Sequence, residues 1–222
     1  AILTHLSIYS QSCLPEGIYF TSQSQLDSFQ LSYPGCIEIE GDVTISGVDI
    51  KNLSGLNSIT VIGGNISIIW NDSLSSLNGL QSLDSVAGMF EISQNNSLMN
   101  LQGLNNLRYS GALDVSYNDS IVSLAGLDNL SNIPGSLSLA HNPTLVSIDY
   151  LNNLIELNDL QLRHNPKITS PLPFSNIETL NYSLLIDNND SLSNLSGLQN
   201  LTQIGHHLFI ENNDGLTDRS EE

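Results

Sequence analysis

The feature that most constrains this chain is a short apolar-x-apolar unit that returns eight times at a spacing of 23 or 24 residues. The units are Val43/Ile45, Ile66/Ile68, Phe90/Ile92, Leu113/Val115, Leu137/Leu139, Leu160/Leu162, Leu184/Ile186 and Leu208/Ile210. Seven of them are followed, three residues on, by an asparagine: Asn71, Asn95, Asn118, Asn142, Asn165, Asn189 and Asn213. The first unit departs, with Gly47 in that region. After each asparagine an apolar residue recurs at every third position, as in Leu74, Leu77, Leu80, Leu83 and Val86. A glycine precedes the third of these at Gly55, Gly79, Gly103, Gly126 and Gly197.

Period three is neither the 3.6 of an amphipathic helix nor the 2 of a plain strand. It suits a backbone that turns around a closed cross-section and sends one residue inward at each bend. The apolar-x-apolar unit has the strand period, so each coil contributes one short strand, and stacked coils build a parallel sheet along the axis. The expected fold is mainly β: a β-solenoid of about eight coils over residues 41–217, with residues 218–222 as a polar tail. The asparagines have a physical role in such a stack. Turns leave backbone N–H and C=O groups pointing inward. An amide carries both donors and acceptors, so it can satisfy these groups and bond its counterpart on the next coil. The seven amides are therefore expected to form one internal ladder.

Residues 1–40 precede the repeat. Thr21 to Leu31 begins with capping residues and places Leu26 and Phe29 on one face, which predicts a short helix ended by Tyr33-Pro34-Gly35. Such a helix would cover the open end of the core. The two cysteines, Cys13 and Cys36, fit either one disulfide in an oxidising compartment or two separate thiols. A bridge between them would staple the cap. No C-x-x-C is present and no histidine lies near either cysteine, so no metal site is expected there.

These residues resemble a known family. The succession Cys–helix–Cys, then I-E-I-E-G-D-V-T-I-S-G from Ile37 to Gly47, then coils of the form L-x-I-x-x-N-x-x-L-x-x-L-x-G-L-x-x-L-x-x-I, is similar to the receptor L-domain-like leucine-rich repeats. The ligand-binding L domains of insulin- and epidermal-growth-factor-type receptors are their best-known members. Blocks such as GGNISII and LSGLQNLTQIG also look like repeat modules of secreted or surface proteins of Bacteroidetes-like bacteria. The resemblance spans about residues 13–217 and rests on scaffold positions. It implies a right-handed solenoid exported to the cell exterior, often as one module of a longer chain. Two departures stand out. Pro171-Leu172-Pro173 replaces L-x-G, so that coil should bulge, and the last coil stops at Glu222, three-quarters of a coil short, with polar Thr217 to Glu222 and no closing cap, as in a chain that continues.

Charge narrows the partners. With 5 Lys and Arg against 23 Asp and Glu, the formal charge is −18. Nucleic acid needs a basic face, which is missing. An anionic membrane surface is disfavoured in the same way, and no apolar run approaches the ~18 residues of a spanning helix. Ten N-x-S/T sites occur, at Asn52, Asn65, Asn71, Asn95, Asn118, Asn129, Asn181, Asn189, Asn194 and Asn200. Four of them are ladder positions, where a glycan conflicts with burial; a bacterial source is expected.

Catalytic chemistry finds little support. There is no G-x-S-x-G, and His5, His141, His164, His206 and His207 are scattered as surface side chains would be. Glu91 and Asp114 share an outward position on adjacent coils, a pair that a flat solvated face would not tune. Asp72, Asp119, Asp190 and Asp214 share one turn position and suit Asx turns better than a calcium site. No cofactor is expected, and no enzyme.

The row just before the ladder is the most informative surface. It runs Trp70, Gln94, Tyr117, His141, His164, Asn188 and Asn212, with Arg163 beside it. One reading is that it only covers the corner between strand and turn. Another is a binding strip, in which Trp70 and Tyr117, two coils apart, offer ring faces to a sugar or anchor a protein. A metal shared by His141 and His164 is a third. The candidate ligand-binding residues are accordingly Trp70, Gln94, Tyr117, His141, Arg163 and His164. The expected function is a secreted or cell-surface binding or adhesion module for a protein or carbohydrate. The alternative is a structural spacer that self-associates through its open carboxy-terminal coil.

Overall fold

The computed structural model describes residues 12–169 and 172–216. The expected bulge around Pro171, the polar segment from Thr217 onward, and His5 lie outside the described residues. Fifty apolar residues are buried among those described, in one continuous core that contains every residue of the eight apolar-x-apolar units except Leu208 and Ile210.

Each coil has a strand in two legs. The strands are β1 (Ser12–Cys13), β2 (Ile18–Phe20), β3 (Glu38–Ile39), β4 (Val43–Ile45), β5 (Val61–Ile62), β6 (Ile66–Ile69), β7 (Ser85–Ser93), β8 (Tyr109–Ser116), β9 (Asn132–Ala140), β10 (Glu156–Arg163), β11 (Thr179–Leu180), β12 (Leu184–Asp187), β13 (Gln203–Ile204) and β14 (Leu208–Glu211). In β7 to β10 the two legs fuse into strands of 8 or 9 residues, with a register shift where the chain bends between them. All pairings are parallel, and equivalent residues of successive coils face each other: Ile66 pairs with Phe90, Phe90 with Leu113 and Leu113 with Leu137. The result is a β-solenoid of about 8 turns, as the repeat predicts.

The stack begins before residue 41. Ile18-Tyr19-Phe20 pairs in register with Val43-Thr44-Ile45, and Ser12-Cys13 pairs with Glu38-Ile39. The repeat does not reveal this rung, because Ile18 lies 25 residues before Val43 and no asparagine follows it. The helix takes the place of the remaining bends in that coil. α1 spans Gln23–Ser32 and buries Leu26 and Phe29. It starts two residues after Thr21, whose N–H donates to Gln25 Oε1 at 2.6 Å, and ends one residue past Leu31. Phe29 meets Phe20 edge to face at 5.6 Å, and Gln30 Nε2 donates to Gly55 O and Ser58 Oγ on the next coil. Cys13 and Cys36 form a disulfide, which closes the alternative of two thiols.

The seven asparagines line up inside as one column. All are buried, with Asn213 the most open at 4% exposed. Each Oδ1 accepts the backbone N–H of the asparagine one coil earlier, from Asn71 N–H to Asn95 Oδ1 at 3.2 Å through Asn189 N–H to Asn213 Oδ1 at 2.9 Å. Each Nδ2 donates to a carbonyl of the previous coil, as Asn95 does to Ile68 O at 2.8 Å. At the first coil Gly47 supplies only its N–H, to Asn71 Oδ1. No buried side-chain polar atom among the described residues lacks a partner.

A second column runs along the exterior and was not apparent in the repeat. At the residue before the fourth apolar position, Ser58, Ser82, Asn106, Asn129, Asn153, Asn176 and Asn200 each donate to a carbonyl of the preceding coil. This explains why the exterior is rich in hydroxyls and amides: they tie coil to coil.

Candidate functional site

The row before the ladder owes its geometry to the ladder. Asn71, Asn95, Asn118, Asn165, Asn189 and Asn213 each turn Nδ2 back to the carbonyl two residues earlier, closing a tight ring around the residue between. That residue is held in the left-handed region. Trp70, Gln94, Tyr117, His141, His164, Asn188 and Asn212 have φ between 52° and 56°. Glycine and asparagine enter this region readily, whereas bulky side chains are uncommon there at a cost of about 1–2 kcal/mol. Five of the seven positions nevertheless carry Trp, Gln, Tyr or His. The backbone N–H groups of this row continue the parallel pairing, for example Tyr117 N–H to Ala140 O and His141 N–H to Arg163 O, both at 3.0 Å.

The side chains are therefore presented outward at the spacing of the sheet, and three rings meet. Tyr117 and His141 stack with centroids 4.5 Å apart and planes 9° from parallel; His141 and His164 stack at 4.3 Å and 17°. This brings together three of the six candidate residues. Arg163 lies on the strand beside them. Gln94 occupies the rung between Tyr117 and Trp70, and Trp70 makes no ring contact among the described residues. Stacking also changes what the rings offer. Both faces of His141 and one face each of Tyr117 and His164 are covered by their neighbours, so the middle of the column offers mainly the imidazole edge, while Tyr117, 50% exposed, also keeps surface for an outside group. Trp70, 58% exposed, keeps its surface for an outside group.

The column is a ridge between two open grooves. On the turn side the groove, of about 440 Å³, is flanked by Pro143, Pro166, Asp119 and Asp190. On the sheet side a groove of about 320 Å³ is flanked by Arg163, Leu185, Asp187, Phe209 and Glu211. Electrostatics differ along the ridge. Burial, then the nearby His164 and Arg163, lowers the His141 pKa below the ordinary 6.5, so this imidazole is neutral at neutral pH. Burial works to raise Asp187, but hydrogen bonds from Asn212 and Asn188, with His164 and Arg163 nearby, outweigh it and hold the carboxyl below 3.8. His164 Nε2 lies 3.9 Å from Asp187 Oδ2.

Other candidates stand apart. Glu91 and Asp114 do face each other across β7 and β8, but each accepts a serine hydroxyl, from Ser67 and Ser116. Asp72 accepts Asn96 Nδ2 from the next coil. Among the described residues no group of three or more His, Cys, Asp or Glu is placed to hold a metal ion. Two groupings escaped the sequence reading. Tyr182 and His206, 24 residues apart and hence at one position of adjacent coils, stack at 5.4 Å and 12°. Leu185 and Phe209 form an apolar pair at the outward position that is Thr44, Ser67, Glu91, Asp114, Ser138 and Gln161 in the six preceding coils. The 24-residue spacing held both signals.

Residues 35–120 match the Receptor L domain family, and the solenoid is consistent with its repeats. The matched stretch contains Trp70, Gln94 and Tyr117 and the ladder through Asn118. A search among curated proteins finds none that matches the chain.

Proposed function

We propose, on the premise that residues 35–120 carry the Receptor L domain pattern, that this chain is a non-enzymatic ligand-binding module working outside the cell. The binding strip runs along Trp70, Gln94, Tyr117, His141, His164 and Arg163, and the partner is a protein. The observation that carries this is the ring column of Tyr117, His141 and His164, held in a backbone conformation that a merely structural corner would give to glycine or asparagine. The same row uses Asn188 and Asn212 in its last coils, so the fold accepts asparagine there. Aromatic residues and arginine are also the side chains that dominate protein interfaces. The disulfide suits an oxidising compartment. Burial of the sequon asparagines Asn71, Asn95, Asn118 and Asn189 suits a pathway without glycan transfer, such as a bacterial one.

The test is a selection of peptides from a random library on the immobilised chain, with a glycan array probed in parallel. Selected peptides should lose most of their affinity for Trp70→Ala and Tyr117→Asn chains that melt as the parent does. Capture of glycans in place of peptides would move the partner to carbohydrate. No capture, with oligomers growing with concentration in light scattering, would replace the module by the self-associating spacer.

A further inference from the structure

We infer that Arg163 receives a carboxylate from a protein partner, in a segment whose neighbouring apolar residue packs on Leu185 and Phe209. This rests on the binding-module reading and names the chemistry of its ligand.

Arg163 is unusual in its surroundings. The chain has 23 acidic residues and 5 basic ones, so a half-buried arginine on its sheet should find a carboxylate. Its charge helps to hold the Asp187 carboxyl low, but its guanidinium forms no hydrogen bond or close ion pair with a described residue. Its position explains this. Across the sheet its partners are Ala140 on β9, which has no group to offer, and Asp187 on β12. Asp187 Oδ1 accepts Asn212 Nδ2 at 2.9 Å, and its Oδ2 faces His164. Arg163 lines the groove, and its guanidinium donors, a planar fork that matches a carboxylate, are engaged by no described residue.

The groove adds a second element. Leu185 and Phe209 stand side by side on its wall, Phe209 being 45% exposed. Apolar surface of this kind gains from burial at about 25 cal/mol per Å². An arginine with a free fork beside an aliphatic and an aromatic residue suits an acidic side chain flanked by an apolar one. Polyanions fit poorly, because one cation faces Asp187 and Glu211 on a chain of charge −18.

The experiment uses peptides selected from the random library on the full chain. Peptides that bind the strip should carry Asp or Glu next to an apolar residue. Arg163→Gln should weaken them about tenfold or more, and Arg163→Lys should restore only part of the loss. Replacing the peptide carboxylate by its amide should weaken binding to the parent chain but hardly to Arg163→Gln. Arg163→Gln should melt close to the parent, since its guanidinium makes no hydrogen bond or close ion pair and only its longer-range effect on Asp187 and His141 is lost. Peptides that lose affinity with Tyr117→Asn yet ignore Arg163→Gln would overturn the inference and leave the module standing. Preference for a hyaluronan oligosaccharide over every peptide, lost in Arg163→Gln, would overturn the choice of a protein. Failure to enrich any peptide sensitive to the strip would remove both.

Discussion

Asn118 shows how much one amide does. Its Oδ1 accepts Asn95 N–H at 3.0 Å, and its Nδ2 donates to Ile92 O and Ser116 O, both at 2.9 Å. Asn118→Ala leaves buried groups on two coils without partners, at ~1–3 kcal/mol each. Urea denaturation should show a loss of about 3 kcal/mol or more. Asn106→Ala removes one bond of the exterior column, where water replaces the amide, and should cost about 1 kcal/mol or less in the same assay. At Tyr117 two effects oppose each other. Asparagine relieves the left-handed strain of about 1–2 kcal/mol but gives up a ring stack worth about 0.5–1.5 kcal/mol. Tyr117→Asn should therefore melt close to the parent while losing its peptides, which separates binding from folding. The identity of these residues was legible in the sequence. Their conformation was not, since bulky side chains are rarely found at positive φ.

At the scale of the coil, the bends are as specified as the strands. Gly103 has φ 114°, and a Cβ there would come within 2.4 Å of Leu77 O on the preceding coil. Gly103→Ala should therefore destabilise by about 1–3 kcal/mol, and should speed amide hydrogen exchange in residues 77–79 and 101–104. The first rung depends on a covalent tie as well as on packing. The Cys13–Cys36 bridge spans 23 residues, and its removal by paired serine substitution should cost about 3 kcal/mol. Amide exchange should rise first in β1 and β2, whereas rungs from β6 onward should keep their protection, because each coil contacts only its neighbours. The helix was predictable from Leu26 and Phe29. The strand before it was not, because its rung lacks an asparagine and a regular spacing.

Across the whole molecule, charge and pH act in two directions. The formal charge of −18 favours mild acidification by relieving self-repulsion. His141 works the other way. Its folded pKa lies below 6.5, so the unfolded chain binds the proton more readily, and the stability it contributes is present above 6.5 and lost as pH falls through its folded value. Asp187, held below 3.8, contributes above that value and loses its contribution at still lower pH. The difference in melting temperature between the parent and His141→Asn should therefore shift in favour of the variant as pH goes from neutral to mildly acidic. An unchanged difference would mean that the ring column does not shield this imidazole. No helix among the described residues is long and apolar enough to cross a membrane.

The amino-acid sequence by itself determined the stacking. In a repeat of fixed length, equivalent residues of successive coils must become neighbours, so the sheet, the internal amides and the row of Trp70 to Asn212 all follow from spacing. Only the tertiary structure decided what that row became. Left-handed backbone at each row position turned the rings outward and parallel, and pairing across β9, β10 and β12 left Arg163 beside Ala140 and a carboxylate already engaged. Those outcomes depend on side-chain direction and on competition for hydrogen bonds in three dimensions, which periodicity does not encode.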